Sequence, residues 1–323
     1  MPLRPPWGDW QEEGSLVTSL SELLQQAFRC RASDLHLTAG MPPTFRIDGC
    51  LESTPLAKLT PLETAAFAQE IMTEAEWDQY QARGELDFPY SVRGVGRLRV
   101  NAFRQRSSHA LAIRLIASHP PTLEELATPP VVRELALSTQ GLILVTGPSG
   151  SGKSTTLAAI INEINTCRRS HIITLEEPIE FLHPHKESII NQREIGRDTK
   201  TYASGLRAAL RADPDVIFIG EMRDLETISI AITAAETGHL VLSTLHTKGA
   251  ARSIDRMVDV FPPHQQNQIR LQLSNVLAAL ISQQLLPRLD GKGRVATLEI
   301  MVATPAIRNL IREGKTHQID SMI

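Results

Sequence analysis

The sequence predicts a two-part fold: an α/β domain built on a parallel sheet, preceded by a smaller α+β domain. Three observations predict it. From residue 131 onward, apolar strand-like runs alternate with helix-like segments, the pattern of a parallel sheet covered on both faces. The first of these runs ends in a Gly-rich phosphate-loop pattern that opens a helix. Upstream, short strands and helices give way near residue 115 to a Pro-rich stretch suited to a linker. A length of 323 residues fits two domains.

The elements follow in order. Residues 1–13 are rich in Pro and Trp and read as an irregular tail. In SLVTSLSELLQQAFRC, Leu16, Leu20, Leu23, Leu24 and Ala27 fall on one helical face. DLHLTAG and TFRIDGC read as short strands with turns at Gly40 and Gly49, and PLETAAFAQEIMTEAEWDQYQARG as one or two helices. GRLRVNAFRQ and ALAIRLIAS read as strands, the first alternating basic and apolar residues. The α+β domain is assigned to 14–117, the linker to 118–131 and the α/β domain to 132–323. Within the latter, LILVTG, IITLE, DVIFIG and HLVLST are the expected strands, and residues from 264 to the end read as mostly helical.

Composition excludes several classes. A net charge of -3 does not favour a nucleic-acid partner, and aromatic residues make up only 4%, leaving little for stacking bases. Cys30, Cys50 and Cys167 form no CxxC pair, so neither a zinc site nor a disulfide framework is indicated. The N-terminus lacks the apolar core of a signal peptide, and no apolar run approaches the ~18 residues of a membrane span. The expected location is the cytoplasm, without direct membrane insertion.

Gly147-Pro148-Ser149-Gly150-Ser151-Gly152-Lys153-Ser154 matches GxxxxGK[ST], with Thr155 next and a strand and helix on either side. Such a loop turns backbone N–H groups onto phosphates, Lys153 reaching the β- and γ-phosphates and Ser154 ligating Mg²⁺. The cofactors expected are therefore ATP and Mg²⁺. A second strand, Val216 to Ile219, ends in Gly220-Glu221. Many P-loop ATPases carry Asp-Glu there. Gly220 has no side chain, so another carboxylate must help hold the metal or the water. Glu176, Glu177 and Glu180 follow the IITLE run and are expected on the same sheet edge. Glu176 and Glu177 are the candidate metal-side groups, with the cation relieving their repulsion. His239 opens the HLVLST strand and His246 follows it, and Arg207 and Arg211 share a helix face.

These segments together resemble the type II/IV secretion ATPase superfamily, and within it the type IV pilus retraction ATPases (PilT type). The resemblance is carried by ASDLHLTAGMPP, GRLRVNAF, GPSGSGKSTTLAAI, EEPIEF, NQREIGRDT, LRADPDVIFIGEMRDLETISIAITAAETGHL, STLHT, DRMVDVFP and TPAIRNLIREGKTHQI. It implies a PAS-like N-terminal domain and a RecA-like P-loop domain, in a homo-hexamer that binds ATP between the two. It implies that Glu180 is the general base, that Glu221 ends the next motif, and that His239 and His246 are the histidines of the His box. Arg97, Arg99 and Arg114 are the implied N-terminal arginines reaching the phosphates. Ala306 to Arg312 is implied in retraction rather than hydrolysis. The implied partners are an inner-membrane pilus platform protein and other pilus ATPases. Two departures stand out. The acidic box of the family usually reads EDPIEF, and here Glu177 replaces the Asp. The chain stops at HQIDSMI, where members typically continue with helical sequence, which bears on motor function more than on hydrolysis.

The expected function is a motor ATPase powering pilus retraction and twitching motility. Assembly and type II secretion ATPases of the superfamily commonly carry a four-cysteine zinc insertion and a longer N-terminal region, which this chain lacks. A weakly hydrolysing accessory ring member and a nucleic-acid translocase are less favoured functions for the same motifs.

Overall fold

The computed structural model describes residues 19–47, 49–116, 119–288 and 294–323. The expected tail at 1–13 lies outside the described residues. The chain forms two compact units, residues 1–118 and 119–323.

The first unit begins with α1 (Leu20–Arg29). Ser19 and Glu22 form a reciprocal capping box that satisfies two helix-end N–H groups, and Leu20, Leu23, Leu24 and Ala27 are buried. Then come β1 (Asp34–Thr38), β2 (Thr44–Ile47) and β3 (Cys50–Ser53). The long helical stretch is two helices, α2 (Pro61–Glu70) and α3 (Glu74–Arg83), each opened by its own Thr–Glu capping box. β4 (Glu85–Val92), β5 (Gly96–Gln105) and β6 (Ser108–Leu115) complete an antiparallel sheet ordered β3-β2-β1-β6-β5-β4. The sequence pattern does not anticipate β4. Its Pro89 and Asp87 are poor strand formers, but an edge strand tolerates proline.

In the second unit, α4 (Pro130–Ala136) leads to β7 (Gly141–Thr146), α5 (Lys153–Cys167), β8 (His171–Glu176) and β9 (Ile189–Glu194). α6 (Tyr202–Ala209), β10 (Val216–Ile219), α7 (Leu225–Glu236) and β11 (Leu240–Leu245) follow. The remainder is α8 (Ala250–Asp259), α9 (Pro263–Val276), β12 (Leu277–Pro287), β13 (Arg294–Val302), α10 (Pro305–Arg312) and a 3-10 turn at Thr316–Ser321. The seven strands run β13-β12-β7-β11-β10-β8-β9, parallel except for the β12–β13 pair. Alternate residues of β7 feed separate cores. Leu142 and Leu144 join one apolar cluster, and Ile143 and Val145 join the other. Helices therefore cover both faces of the sheet, as the alternating pattern requires.

The structure corrects one expectation. Residues from 264 onward are not mostly helical, because α9 stops at Val276 and the next eleven residues form β12. LAALISQQLL is an apolar run that periodicity cannot assign to helix or strand. Its backbone pairs with β7, and Ala279, Leu280 and Ile281 are fully buried. Of the expected linker, residues 119–131 belong to the second unit. Leu123 is buried in the same apolar cluster as Val132 and Leu135.

Ile281 on β12 is fully buried. Truncation to alanine there removes apolar contact and leaves a cavity, at a cost of about 2–5 kcal/mol. Ile281→Ala should shift the urea unfolding midpoint of the chain downward, while a change at exposed Leu62 should not.

Candidate functional site

The parallel strands β7, β8, β10 and β11 release the chain at one sheet edge. A cavity of about 530 Å³ opens there, lined by residues of the phosphate loop, the acidic loop after β8, Glu221 and His246. Gly152 takes a left-handed backbone (φ 86°) and places no side-chain cap on α5. The first-turn N–H groups of that helix are thus left for a ligand, the arrangement that binds anions. Two glycines are required by their neighbours. A Cβ on Gly147 would lie 2.2 Å from the Gln283 carbonyl oxygen, and one on Gly152 would lie 2.8 Å from the Gln283 side-chain nitrogen.

Gln283 is 2% exposed and holds the loop from β12. Its Nε2 donates to the Ser151 carbonyl (2.7 Å), and its Oε1 accepts from Thr156 Oγ1 (2.7 Å). Sequence reasoning misses this residue, because its segment reads as helix. Ser149, Gly150, Gly152, Lys153, Ser154 and Thr155 line the cavity. Gly147, Pro148 and Ser151 form the turn behind them.

Lys153 is buried, and its Nζ donates to the carbonyls of Gly147 (2.9 Å) and Pro148 (3.0 Å). Burial lowers its pKa, and the carboxylates of Glu221 and Glu180 oppose that shift. Both glutamates therefore act on the lysine electrostatically. Glu221 follows β10 and pairs with Arg223 and with His246 Nε2 (3.3 Å). Burial alone would raise the Glu221 pKa, but hydrogen bonding from Arg223 and the charges of His246 and Arg223 hold it below the usual range. His246 Nδ1 lies 3.5 Å from Lys153 Nζ.

The position before Glu221 has a steric explanation. A Cβ on Gly220 would meet the Tyr202 hydroxyl at 2.9 Å and the Leu175 carbonyl at 3.2 Å. Tyr202, from the start of α6, lines the cavity where a longer residue at 220 would project. Burial raises its pKa, reinforced by Glu177 and Glu221, so the hydroxyl stays protonated. Its role could not be found in the sequence, since it stands 18 residues from Gly220.

The three glutamates separate into distinct environments. Glu176 is buried, and burial raises its pKa despite hydrogen bonds from Thr174, Gln192 and the Glu180 backbone. Its Oε1 accepts from Thr174 Oγ1 (2.6 Å) and Gln192 Nε2 (3.0 Å). Glu176 also lines the cavity, but its Oε1 is engaged by its own strand and by β9. Glu177 and Glu180 are exposed and line the cavity, with buried Ile179 anchoring the loop between them. Among the described residues, no group of three or more His, Cys, Asp or Glu is arranged to hold a metal.

His239 is not in this cavity. It precedes β11, at the opposite end of the strand from His246, with Nδ1 on the Ala234 carbonyl (2.9 Å). Six strand residues separate the two ends, roughly 20 Å, so His239 cannot reach the phosphate loop of its own chain. Arg97, Arg99 and Arg114 lie in the first unit. Arg114 Nε pairs with Asp34 Oδ1 at 2.9 Å, and Arg99 Nε lies 3.7 Å from Asp87 Oδ1. Arg207 pairs with Glu226 away from the cavity.

Comparison with known proteins places this geometry. Residues 9–321 match the family model for type II/IV secretion system proteins. The chain belongs to the type II/IV secretion system protein family. Among curated members, it is 49% identical over 304 residues to the type IV pilus retractation ATPase PilT of Pseudomonas aeruginosa, covering 94% of this chain and 88% of that protein. It is 48% identical over 299 residues to a twitching motility protein of Neisseria gonorrhoeae, covering 91% and 80%. A crystal structure of the pilus retraction motor PilT with bound ADP superposes with a TM-score of 0.90 at 51% identity, covering 95% of this chain and 89% of that one. In this secretion-family chain the phosphate loop, Glu180, Glu221 and His246 share one cavity, and no described helix is long and apolar enough to cross a membrane.

Packing and charge at the site lead to two measurable effects. Gly220→Asp overpacks against Tyr202 and should destabilise by about 1–3 kcal/mol. The double variant with Tyr202→Phe, which removes the hydroxyl, should recover part of that loss in thermal melts. His183 is partly buried, its Nδ1 has no partner, and burial lowers its pKa to about 4. Between pH 6.5 and 4 the unfolded chain binds a proton that the folded chain refuses, so stability falls as pH drops through this window. Unfolding free energies at pH 7 and pH 5 should differ less for His183→Gln than for the parent, by up to about 2 kcal/mol.

Proposed function

We propose that the chain is a hexameric motor ATPase that hydrolyses ATP to power retraction of a type IV pilus. The observation that carries the hydrolytic part is the single cavity joining the phosphate loop to Glu180, Glu221 and His246. The likeness to PilT supports the pilus part. The second unit is a RecA-like P-loop domain, a reading supported by its parallel sheet and the loop after β7. The first is PAS-like, supported by an antiparallel sheet with helices.

The loop N–H groups and the start of α5 bind the phosphates, with Lys153 leaving the Gly147 and Pro148 carbonyls to reach them. The uncapped helix start and the glycine cradle fit that group. Magnesium, when bound, would supply positive charge to offset that of the phosphates. Ser154 would hold it, with Glu177 on the cavity wall. Glu176, the other metal-side candidate on the cavity wall, also keeps the acidic loop in shape through Thr174 and Gln192. Glu180 accepts the proton of the attacking water. Glu221 orients that water, itself fixed by Arg223 and His246. Arg97, Arg99 and Arg114 are the arginines proposed to supply positive charge to the phosphates. The ring works at the cytoplasmic face of the inner membrane on a pilus platform protein, alongside other pilus ATPases.

Glu180→Gln should lower turnover by about 10²-fold or more with ADP affinity within about twofold, measured by phosphate release and calorimetry. Turnover near the parent value removes Glu180 as the base. Deletion of the gene should leave cells with excess surface pili; bald cells would instead mark an assembly motor.

A further inference from the structure

Gln192 stands on β9, outside the phosphate loop, and its side chain makes three hydrogen bonds that converge on the acidic loop. Nε2 donates to Glu176 Oε1 (3.0 Å) and to the Phe181 carbonyl (2.9 Å). Oε1 accepts from the His183 N–H (2.9 Å). These partners bracket Glu180 in the chain. Glu176 lies four residues before it and also receives the Glu180 backbone N–H. Phe181 and His183 lie just after it.

We infer that Gln192 is the positioning residue that fixes the Glu180 carboxylate to take the proton of the water that attacks the bound nucleotide; this rests on the reading of Glu180 as the base.

Hydrogen-bonding valence singles out a glutamine here. A segment that presents exposed Glu180 has little apolar anchorage of its own beyond Ile179. It must leave β8 and return to β9 while satisfying its backbone groups. A primary amide carries two donor hydrogens and an acceptor, and Gln192 uses all three capacities on this one loop. A carboxylate at 192 would lack the donors and would add a second acid beside buried Glu176. An apolar isostere would leave the Phe181 carbonyl and the His183 N–H without these partners. The register also matters. Gln192 pairs with Thr174 across β8–β9, and Thr174 itself donates to Glu176. The strand pair thus carries the clamp into the loop as one rigid piece. A displacement of about 1 Å at a reacting group costs on the order of 10²-fold in rate.

The test compares Gln192→Leu, the near-isosteric Gln192→Met, Glu180→Gln and the Glu180→Gln/Gln192→Met double variant, all in the full chain. Single-turnover phosphate release gives the rate, ADP calorimetry the affinity, and hydrogen exchange the protection of the 177–183 segment. Gln192→Met should lose about 10- to 100-fold in rate, keep ADP affinity within about twofold, and exchange faster at 177–183. The double variant should be no slower than Glu180→Gln alone, because both changes remove one function. Rate loss that multiplies in the double variant, or a Gln192→Met rate within about twofold of the parent while Glu180→Gln is dead, overturns the positioning role and leaves the base reading standing. If Glu180→Gln itself retains turnover, the base reading fails and the inference falls with it. Affinity and rate that fall together in both Gln192 variants mark a merely structural residue, and this too overturns it.

Discussion

A parallel strand delivers its chain to one edge only, and everything at the site of this protein depends on that constraint. β7, β8, β10 and β11 run side by side in the same sense, so the residues that follow them meet without any long reach. The phosphate loop, the acidic loop, Glu221 and His246 each begin within a residue or two of a strand end. The same constraint separates His239 from His246. The two flank one strand, and its direction assigns them to opposite edges.

Charge is managed by division of labour. Three carboxylates within five residues would repel if they shared one environment. Glu176 is buried and hydrogen-bonded at the cavity wall, and burial raises its pKa, while Glu177 and Glu180 are the exposed pair lining the same cavity. Glu221 is held ionised by Arg223 and His246, and its charge acts in turn on Lys153. The cation of the loop and the acids around it are mutually supporting, although they follow different strands.

Much of this was legible in the sequence. The phosphate loop needs glycines at fixed spacing between a strand and a helix, and that local pattern survives in any context. Strands β7, β8, β10 and β11 were visible because burial on both faces makes them continuous apolar runs. The acidic loop could be placed on the right edge from strand direction alone. β12 was not legible, because LAALISQQLL reads equally as helix and only the open side of β7 decides the matter. With β12 went Gln283. The fit of Tyr202 over Gly220 was hidden for a related reason: it is a contact between side chain and backbone distant in sequence, set by packing rather than by pattern. Glu176 looked like its neighbours in sequence, and only burial distinguishes it.

The buttress from β12 also fixes when the phosphate loop can exist. Ser151 and Gln283 are 132 positions apart, so a ribosome that has just released the GPSGSGKS segment must add all of β8 to β12 before its scaffold is present. At about 5–20 residues per second that interval is on the order of 10 s. Through that time the glycines are free of the wall that justifies them. Nucleotide binding is then a property acquired late in biosynthesis, and the ligand can serve as a reporter that the C-terminal strands have joined the sheet.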